Sequence, residues 1–492
     1  MGKDILSLQP ARLWQHFYDL TQIPRPSKKE RKAVDFVAAF GRQLGLFTDV
    51  DAAGNVLIRK PATKGMEGRR TVILQAHLDM VPQKNSDTAH DFERDPIDAY
   101  ISGEFVRAHG TTLGADNGVG VAAAMAVLEA ADVEHPNIEA LFTIDEETGM
   151  SGALAMQPGW LQGDILLNLD SEDEGELCVG CAGGLDGSFG ADYDQQDVAA
   201  DSAAFELSIT GLKGGHSGVD IALGRANANK LAARVLRRLT DICGVQLVSL
   251  EGGNLRNAIP REAFATIVVP KATLETLDAV KREVAELAKA IANEYAGVED
   301  IQKMKITLEP ANAPGKAMQP APQDRLLNAI LACPDGVVRM SDAIPGLVET
   351  STNLAIVRIG EGKMSASCLL RSSVDSAKAY LSECMKAAFS LAGVTSRFTG
   401  GYPGWKPNPS SAILNVMRDL YEKMFGAAPY VRAIHAGLEC GLLGGKYPNL
   451  DMISFGPTIL NPHSPDERVE ISSVEKWWSF LLATLKNTPD AG

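Results

Sequence analysis

Five carboxylates and two imidazoles stand just beyond runs of apolar residues, and their chemistry is that of a divalent-cation site. His77 closes the run "TVILQAHLD", with Asp79 two places later. Glu146 and Glu147 close "LFTIDEETG", Asp170 closes "ILLNLDSE", and "DMISFGPTILNPHSPDE" continues past its apolar stretch to His463. Asp116 lies in "TTLGADNGVG", ahead of an Ala-rich segment. So many acids on one rim would repel one another unless a cation sat among them. Zinc suits mixed imidazole and carboxylate ligands. If two ions shared one bridging carboxylate, His77, Asp116 and Asp170 would serve one, and Asp116, Glu147 and His463 the other. Each ion would then have three protein ligands and a place left for water, as in catalytic sites. Two Zn2+, three ligand carboxylates and one hydroxide also sum to zero charge. Ions about 3.5–4 Å apart can hold a substrate oxygen and a nucleophilic water together.

Two acids remain. Asp79 is at i+2 from His77, so on an extended segment both side chains point the same way. It can accept the imidazole's other N–H and fix the ring. Glu146 neighbours a ligand but points elsewhere, where it can take a proton from water and return it to a leaving amine. Taken singly, a His-x-Asp, a "DEE" or a "GADNG" is an ordinary turn or cap. Their joint placement after apolar strands carries the reading.

The elements that must position these groups follow from periodicity. Up to about residue 186 strands alternate with helices: "TVILQAHLD", "IEALFTIDE" and "DILLNLDSE" read as strands, and "GVGVAAAMAVLEAA" (118–131) as a buried helix. Such alternation predicts several parallel strands, whose carboxyl ends form the ligand-binding edge. The Gly-rich "VGCAGGLDGSFG" (179–190) reads as a break. Beyond it, "AFELSITGLKGGHSG", a helix, "AFATIVVP" and the amphipathic "LETLDAVKREVAELAKAIANEY" form one strand–helix round. A second round starts near 347, which gives a repeat of pattern rather than identity. After "GGYPGWKPNPSS" (400–411) the α/β pattern resumes. The organisation expected is one domain interrupted by another.

The 492-residue chain has room for two or three cores. Its net charge of −15 argues against nucleic-acid or anionic-membrane binding, which needs clustered Lys and Arg. Seven scattered cysteines fit a reducing compartment rather than a disulfide framework. The N-terminus lacks a basic stretch followed by an apolar one, and no apolar run is long enough for a membrane span, so a cytoplasmic protein is expected.

The stretches "QAHLDMVPQ", "GTTLGADNGVG", "DEETGMSGA", "LNLDSE", "LKGGHSG", "GGNLRNAIPREAFATI", "IHAGLECG" and "GPTILNPHSPDE" occur in this order. Together they resemble the co-catalytic zinc exopeptidases, the family of aminoacyl-histidine dipeptidases, carnosinases, aminoacylases and carboxypeptidase G-type enzymes. The resemblance runs essentially end to end. It implies an α/β fold: a zinc-exopeptidase-like catalytic domain with a mixed, largely parallel sheet flanked by helices, over 1–186 and 402–492, and an inserted α+β lid domain over 187–401. It implies two Zn2+ per chain, with Co2+ or Mn2+ as substitutes, on His77, Asp116 (bridging), Glu147, Asp170 and His463. Asp79 and Glu146 take the supporting catalytic roles.

The resemblance also matches His216 in "GGHSG" to a lid histidine that meets the polarised carbonyl oxygen of the substrate. Asn257 in "LRNAIP" and Arg371 in "CLLRSS" align with residues that hold the substrate carboxylate, for which an Arg fork is suited. A cis peptide bond between Asp116 and Asn117 is implied too. His435 and Glu439 in "IHAGLECG" receive no role. The activity implied is hydrolysis of dipeptides, including Xaa-His and carnosine-like substrates, by a homodimer. The doubled lid pattern would let one chain supply what relatives obtain from a partner. An N-acyl amino acid deacylase or tripeptide aminopeptidase on the same scaffold is the alternative. A non-catalytic metal-binding scaffold would have no use for a base such as Glu146. A nucleotide site at "GCAGGLDG" lacks both the following Lys-Ser/Thr and a G-x-G-x-x-G.

Overall fold

The computed structural model describes residues 3–491, which fall into two compact units. One runs to Gly180 and takes in Pro407–Ala433 and the chain from Leu438 onward. The other comprises Cys181–Lys406 and the four residues Ile434–Gly437. The expected boundaries at 186/187 and 401/402 thus lie a few residues inside the observed ones. The short return of the chain at 434–437 has no counterpart in the sequence reading.

The first unit is built on an eight-stranded mixed sheet in the order Phe47–Val50, Val56–Lys60, Ile138–Thr143, Val72–His77, Ile165–Asn168, Asp451–Ser454, Glu176–Cys181 and Tyr430–Ile434. The four central strands, from Ile138–Thr143 to Asp451–Ser454, are parallel, and Val56–Lys60 joins them antiparallel. Strands covered on both faces are apolar throughout rather than alternating. Accordingly every residue of Val72–His77, Ile138–Thr143 and Ile165–Asn168 is buried. Their register sets His77 opposite Thr143, and Gln75 opposite both Leu141 and Asn168. Glu146, Glu147 and Asp170 therefore follow within a few residues of the same edge. The helix Ala115–Glu129 is buried on all sides up to Leu128, as its small residues allow, and packs on Val72–His77 and on the helix Ala11–Thr21. A separate four-stranded antiparallel sheet pairs Arg468–Glu470 with Phe105–Ala108, which brings the chain after His463 to the chain before Asp116.

The second unit is a nine-stranded antiparallel sheet with a duplicated βαββαβ topology. One half consists of Ala203–Thr210, helix Ala228–Cys243, Gln246–Gly252, Ala263–Val269, helix Leu274–Tyr295 and Lys305–Pro310. The other consists of Gly183–Asp192, helix Pro320–Ala332, Val348–Gly360, Lys363–Ser372, helix Asp375–Leu391 and Thr395–Tyr402. The halves join where Gln246–Gly252 pairs Val348–Gly360, and Gly336–Met340 adds a further strand on Val348–Gly360. The repeat is thus real, but its second copy begins at Gly183, before the first. The Gly-rich stretch read as a break is this strand. Side chains at Gly183 and Gly184 would run into the backbone and ring of Tyr402, and one at Gly187 into the Phe398 ring, so small residues are required there. Among the described residues no helix is long and apolar enough to cross a membrane.

Candidate metal centre

The five ligands expected from sequence converge in the first unit. His77 Nε2 lies 3.0 Å from Asp116 Oδ1 and 3.2 Å from Asp170 Oδ1. His463 Nε2 lies 3.0 Å from Asp116 Oδ2 and 3.0 Å from Glu147 Oε2. Asp116 therefore faces one imidazole with each oxygen. The groups His77–Asp116–Asp170 and Asp116–Glu147–His463 each keep their ligand atoms within 4.8 Å of one another. Buried Oε1 of Glu147 and Oδ1 of Asp170 have no hydrogen bond; Asp170 Oδ1 only approaches His77 as an ion-pair partner. Unsatisfied carboxylate oxygens beside neutralisable imidazoles are a donor set that fits divalent zinc.

Electrostatics point the same way. Burial opposes charging His77, yet Asp170, Asp116 and Asp79 push its pKa well above the ordinary value. Hydrogen bonds that its Nε2–H donates to Asp116 and Glu147 raise His463 to about 11 although it is half exposed. Burial and the like charges of Asp116 and Glu147 raise Asp170 to about 6, against the pull of His77. Asp116 is held low, because the two imidazoles overcome its burial. In the metal-free protein, protons do the neutralising that cations would otherwise do.

Asp79 departs from the expectation in detail. Its Oδ1 is 3.3 Å from His77 Nδ1, an approach not aligned as a hydrogen bond. Its aligned partners are the Ser27 hydroxyl (2.8 Å) and the backbone N–H groups of Glu146 (3.0 Å) and Glu147 (3.2 Å). Though buried, it is held at about 2 by His77 and these donors. Asp79 thus fixes the turn that carries both Glu146, the candidate base, and Glu147, a candidate ligand. Glu146 is raised well above the usual carboxylate range, first by desolvation and then by Asp170, Glu439 and Glu147. Glu30, Asp79 and Asp145 form a third close group. It lacks a histidine, and its outer members already accept hydrogen bonds from Lys28 N–H and from the Thr148 and Ser151 hydroxyls.

Four residues at the site carry roles the sequence did not signal. Arg25, fully buried, donates to the carbonyls of Leu78 (3.0 Å), Asp79 (2.9 Å) and Gly114 (2.6 Å), tying the exit of the His77 strand to the Asp116 loop. Glu467, 2% exposed, accepts four consecutive backbone N–H groups, from Leu113, Gly114, Ala115 and Asp116. Glu439, 1% exposed, accepts from Gln75 Nε2 (2.7 Å) and the Thr143 hydroxyl (2.6 Å), while its Oε1 is unpaired; burial raises it to about 8. Burial and the charges of Asp116 and Asp170 raise Glu172 likewise to about 8. Each binds backbone or lies beneath the rim, so only the quoted motifs around Glu172, Glu439 and Glu467 hinted at them. The Asp116–Asn117 peptide bond is cis, as the resemblance implied.

The second unit holds the remaining candidates. His216 Nδ1 accepts the backbone N–H groups of Gly218 (3.1 Å) and Val219 (3.2 Å). Burial and the nearby Arg371 lower its pKa. The neutral ring therefore carries its hydrogen on Nε2 and presents a donor. Arg371 Nη2 stands 3.5 Å from that nitrogen, and the buried Arg371 Nε has no partner. Two donors so close would both be satisfied by one anionic oxygen. Asn257 does not join them: its side chain is exposed, and only its carbonyl bonds to Ser217 N–H (2.8 Å). His435 bonds Ser351 Oγ through Nε2 (2.7 Å), and burial beside Arg371 lowers it to about 4.

Comparison with known proteins adds to this geometry. Residues 73–487 match the model of peptidase family M20/M25/M40. The chain is 44% identical to the cytosol non-specific dipeptidase of Escherichia coli (strain K12) over 486 residues, 99% of each protein. The crystal structure of aminoacylhistidine dipeptidase from Vibrio alginolyticus superposes with a TM-score of 0.95 at 46% identity, covering 99% of both chains. Aminopeptidase PepT from Bacillus cereus ATCC 10987 shares the fold, with a TM-score of 0.56 at 17% identity over 97% of this chain and 98% of its own.

Proposed function

Because the chain belongs to peptidase family M20/M25/M40, we propose that it is a metal-dependent dipeptidase that cleaves dipeptides, Xaa-His and carnosine-like ones included, with two Zn2+ per chain. Similarity over 99% of its length to the E. coli and Vibrio dipeptidases supports the substrate class. The observation that carries the site is the Asp116 carboxylate, whose two oxygens each lie 3.0 Å from a different imidazole. His77, Asp116 and Asp170 would hold one ion, and Asp116, Glu147 and His463 the other; Co2+ or Mn2+ could substitute. When bound, such a pair polarises a scissile carbonyl and makes water acidic enough to attack near neutral pH.

The chain's own residues handle the protons. Glu146 takes the proton of the attacking water and returns it to the departing amine. Burial raises its pKa, which makes it a stronger proton acceptor than an exposed carboxylate. Asp79 keeps the Glu146–Glu147 turn and the His77 ring in register. In the second unit, which we read as the lid, the Nε2–H of His216 is the oxyanion donor, and Arg371 with Asn257 receives the substrate carboxylate. A cytosolic location is supported by the name of the E. coli relative, and a homodimer by the family resemblance. The test is hydrolysis of a panel of Xaa-His dipeptides, tripeptides and acetylated amino acids, before and after chelation and zinc re-addition. Activity on dipeptides that chelation abolishes and zinc restores is expected. Preference for acetylated amino acids or tripeptides would overturn the substrate class, and activity indifferent to chelation would overturn the metal reading.

A further inference from the structure

We propose that Glu467 is a positioning residue for one half of the metal centre, the position formed by Asp116, Glu147 and His463, and that the other position does not depend on it. The proposal rests on the two-ion reading above. Glu467 Oε2 accepts from Leu113 N–H (2.8 Å) and Gly114 N–H (2.9 Å), and Oε1 from Ala115 N–H (2.7 Å) and Asp116 N–H (3.2 Å). Gly114, at φ 70°, precedes the helix that carries Asp116 and has no side chain to cap it. Glu467 supplies that cap from 353 residues away. Its own N–H bonds the Ser464 carbonyl (3.0 Å), which closes the turn that directly follows His463, whose φ is 60°. One buried carboxylate therefore clamps the loop of Asp116 to the loop of His463.

The other position is held differently. His77 is the last residue of a strand laddered on both sides, by Ile138–Thr143 and by Ile165–Asn168. Asp170 follows Leu169, whose N–H bonds the Gln75 carbonyl (2.8 Å) and whose own carbonyl accepts Asn117 Nδ2 (2.6 Å). These bonds tie His77, Asp170 and the residue after Asp116 together without Glu467. The asymmetry follows from the topology: His77 and Asp170 lie at the ends of laddered central strands, whereas His463 lies on a loop joined to the Asp116 loop by the Glu467 carboxylate and by the pairing of Arg468–Glu470 with Phe105–Ala108.

The experiment is zinc titration of chelator-stripped protein against a competing chromophoric chelator, for the natural chain, Glu467→Gln and Glu467→Asp, with the thermal unfolding midpoint recorded for each. A glutamine turns its NH2 toward two of the four N–H donors and loses their bonds. The expected result is one ion bound as before and the second weakened about 10–100-fold, the usual size of an outer-sphere effect on metal affinity. Glu467→Asp, which keeps both oxygens and the charge, should recover part of that loss. A merely structural role would lower the unfolding midpoint and both affinities together, and that result, or two unchanged affinities, overturns the proposal. If Glu467→Gln does not fold, the same criterion is applied to Glu467→Asp. A natural chain that binds fewer than two ions would instead refute the two-ion reading, and the proposal with it.

Discussion

Metal loading should expel protons from the two imidazoles. In the metal-free protein His77 is charged well past neutrality, and His463 stays protonated up to about pH 11. Both must be neutral to act as ligands, so each ion displaces one imidazole proton near neutral pH. Asp170, at about 6, is already ionised there and adds little. Each ion's apparent affinity should then rise about tenfold per pH unit across neutrality, which is about 1.4 kcal/mol per unit. Below about pH 6 Asp170 binds a proton as well, and the slope for the His77 position should steepen toward two. Calorimetric zinc titration of stripped protein in buffers of different ionisation enthalpy reads the proton count directly. A buffer-independent heat, meaning fewer than about one proton released, would refute the reasoning, because the imidazoles would then be neutral without metal and the ion pairs at 3.0 Å would not exist as described.

Four further outcomes follow from the same contacts. Glu146→Gln should load zinc normally while kcat falls about 10²–10⁴-fold, the range for loss of a general base; unchanged turnover with metal content verified would remove its role. Asp116→Ala should lower occupancy of both positions in elemental analysis, whereas a loss confined to one would mean that the carboxylate does not bridge. Gly120→Ala should destabilise by about 1–3 kcal/mol in urea titration, since a methyl there would strike the Leu169 carbonyl and the Asn117 side chain; a raised midpoint would show that helix propensity wins instead. For pH dependence, Asp170, Glu439 and Glu172 have pKa values raised above their unfolded ones, as do His77 and His463. A raised pKa gives stability that is complete below the unfolded value and lost as pH climbs through the folded one. The metal-free protein should therefore melt lower at pH 8 than at pH 5.5 in calorimetry, and zinc should reverse that order.

What the sequence disclosed and what it hid divide along a physical line. Central parallel strands are legible because burial on both faces makes them continuous apolar runs, and the acids at their ends stand out by contrast; His77, Glu147 and Asp170 were found this way. Gly183–Asp192 was read as a break because close packing against Tyr402 excludes side chains at Gly183 and Gly184, and glycines carry no strand signal. The roles of Arg25 and Glu467 stayed hidden for a different reason. The two residues bind carbonyl and amide groups of residues dozens to hundreds of positions away, and backbone partners leave no trace in side-chain spacing. Asn257 is a different case: the resemblance singled it out, and the residue is exposed, with its backbone carbonyl bonded to Ser217 N–H.

The hidden residues explain how the visible ones can coexist. A rim with this many acids invites mutual repulsion, yet the supporting acids are satisfied from the side away from the ligands. Asp79 receives two backbone N–H groups and a hydroxyl, Glu467 four backbone N–H groups, and Glu439 an amide and a hydroxyl. These bonds fix the loops, so the ligand oxygens facing the imidazoles need not fix themselves, and Asp170 Oδ1 and Glu147 Oε1 keep no hydrogen bond of their own. Exchange of protons for cations then requires little backbone rearrangement. The charge of the supporting acids is met by dipoles of the chain itself, which leaves the oxygens facing the imidazoles available to a cation.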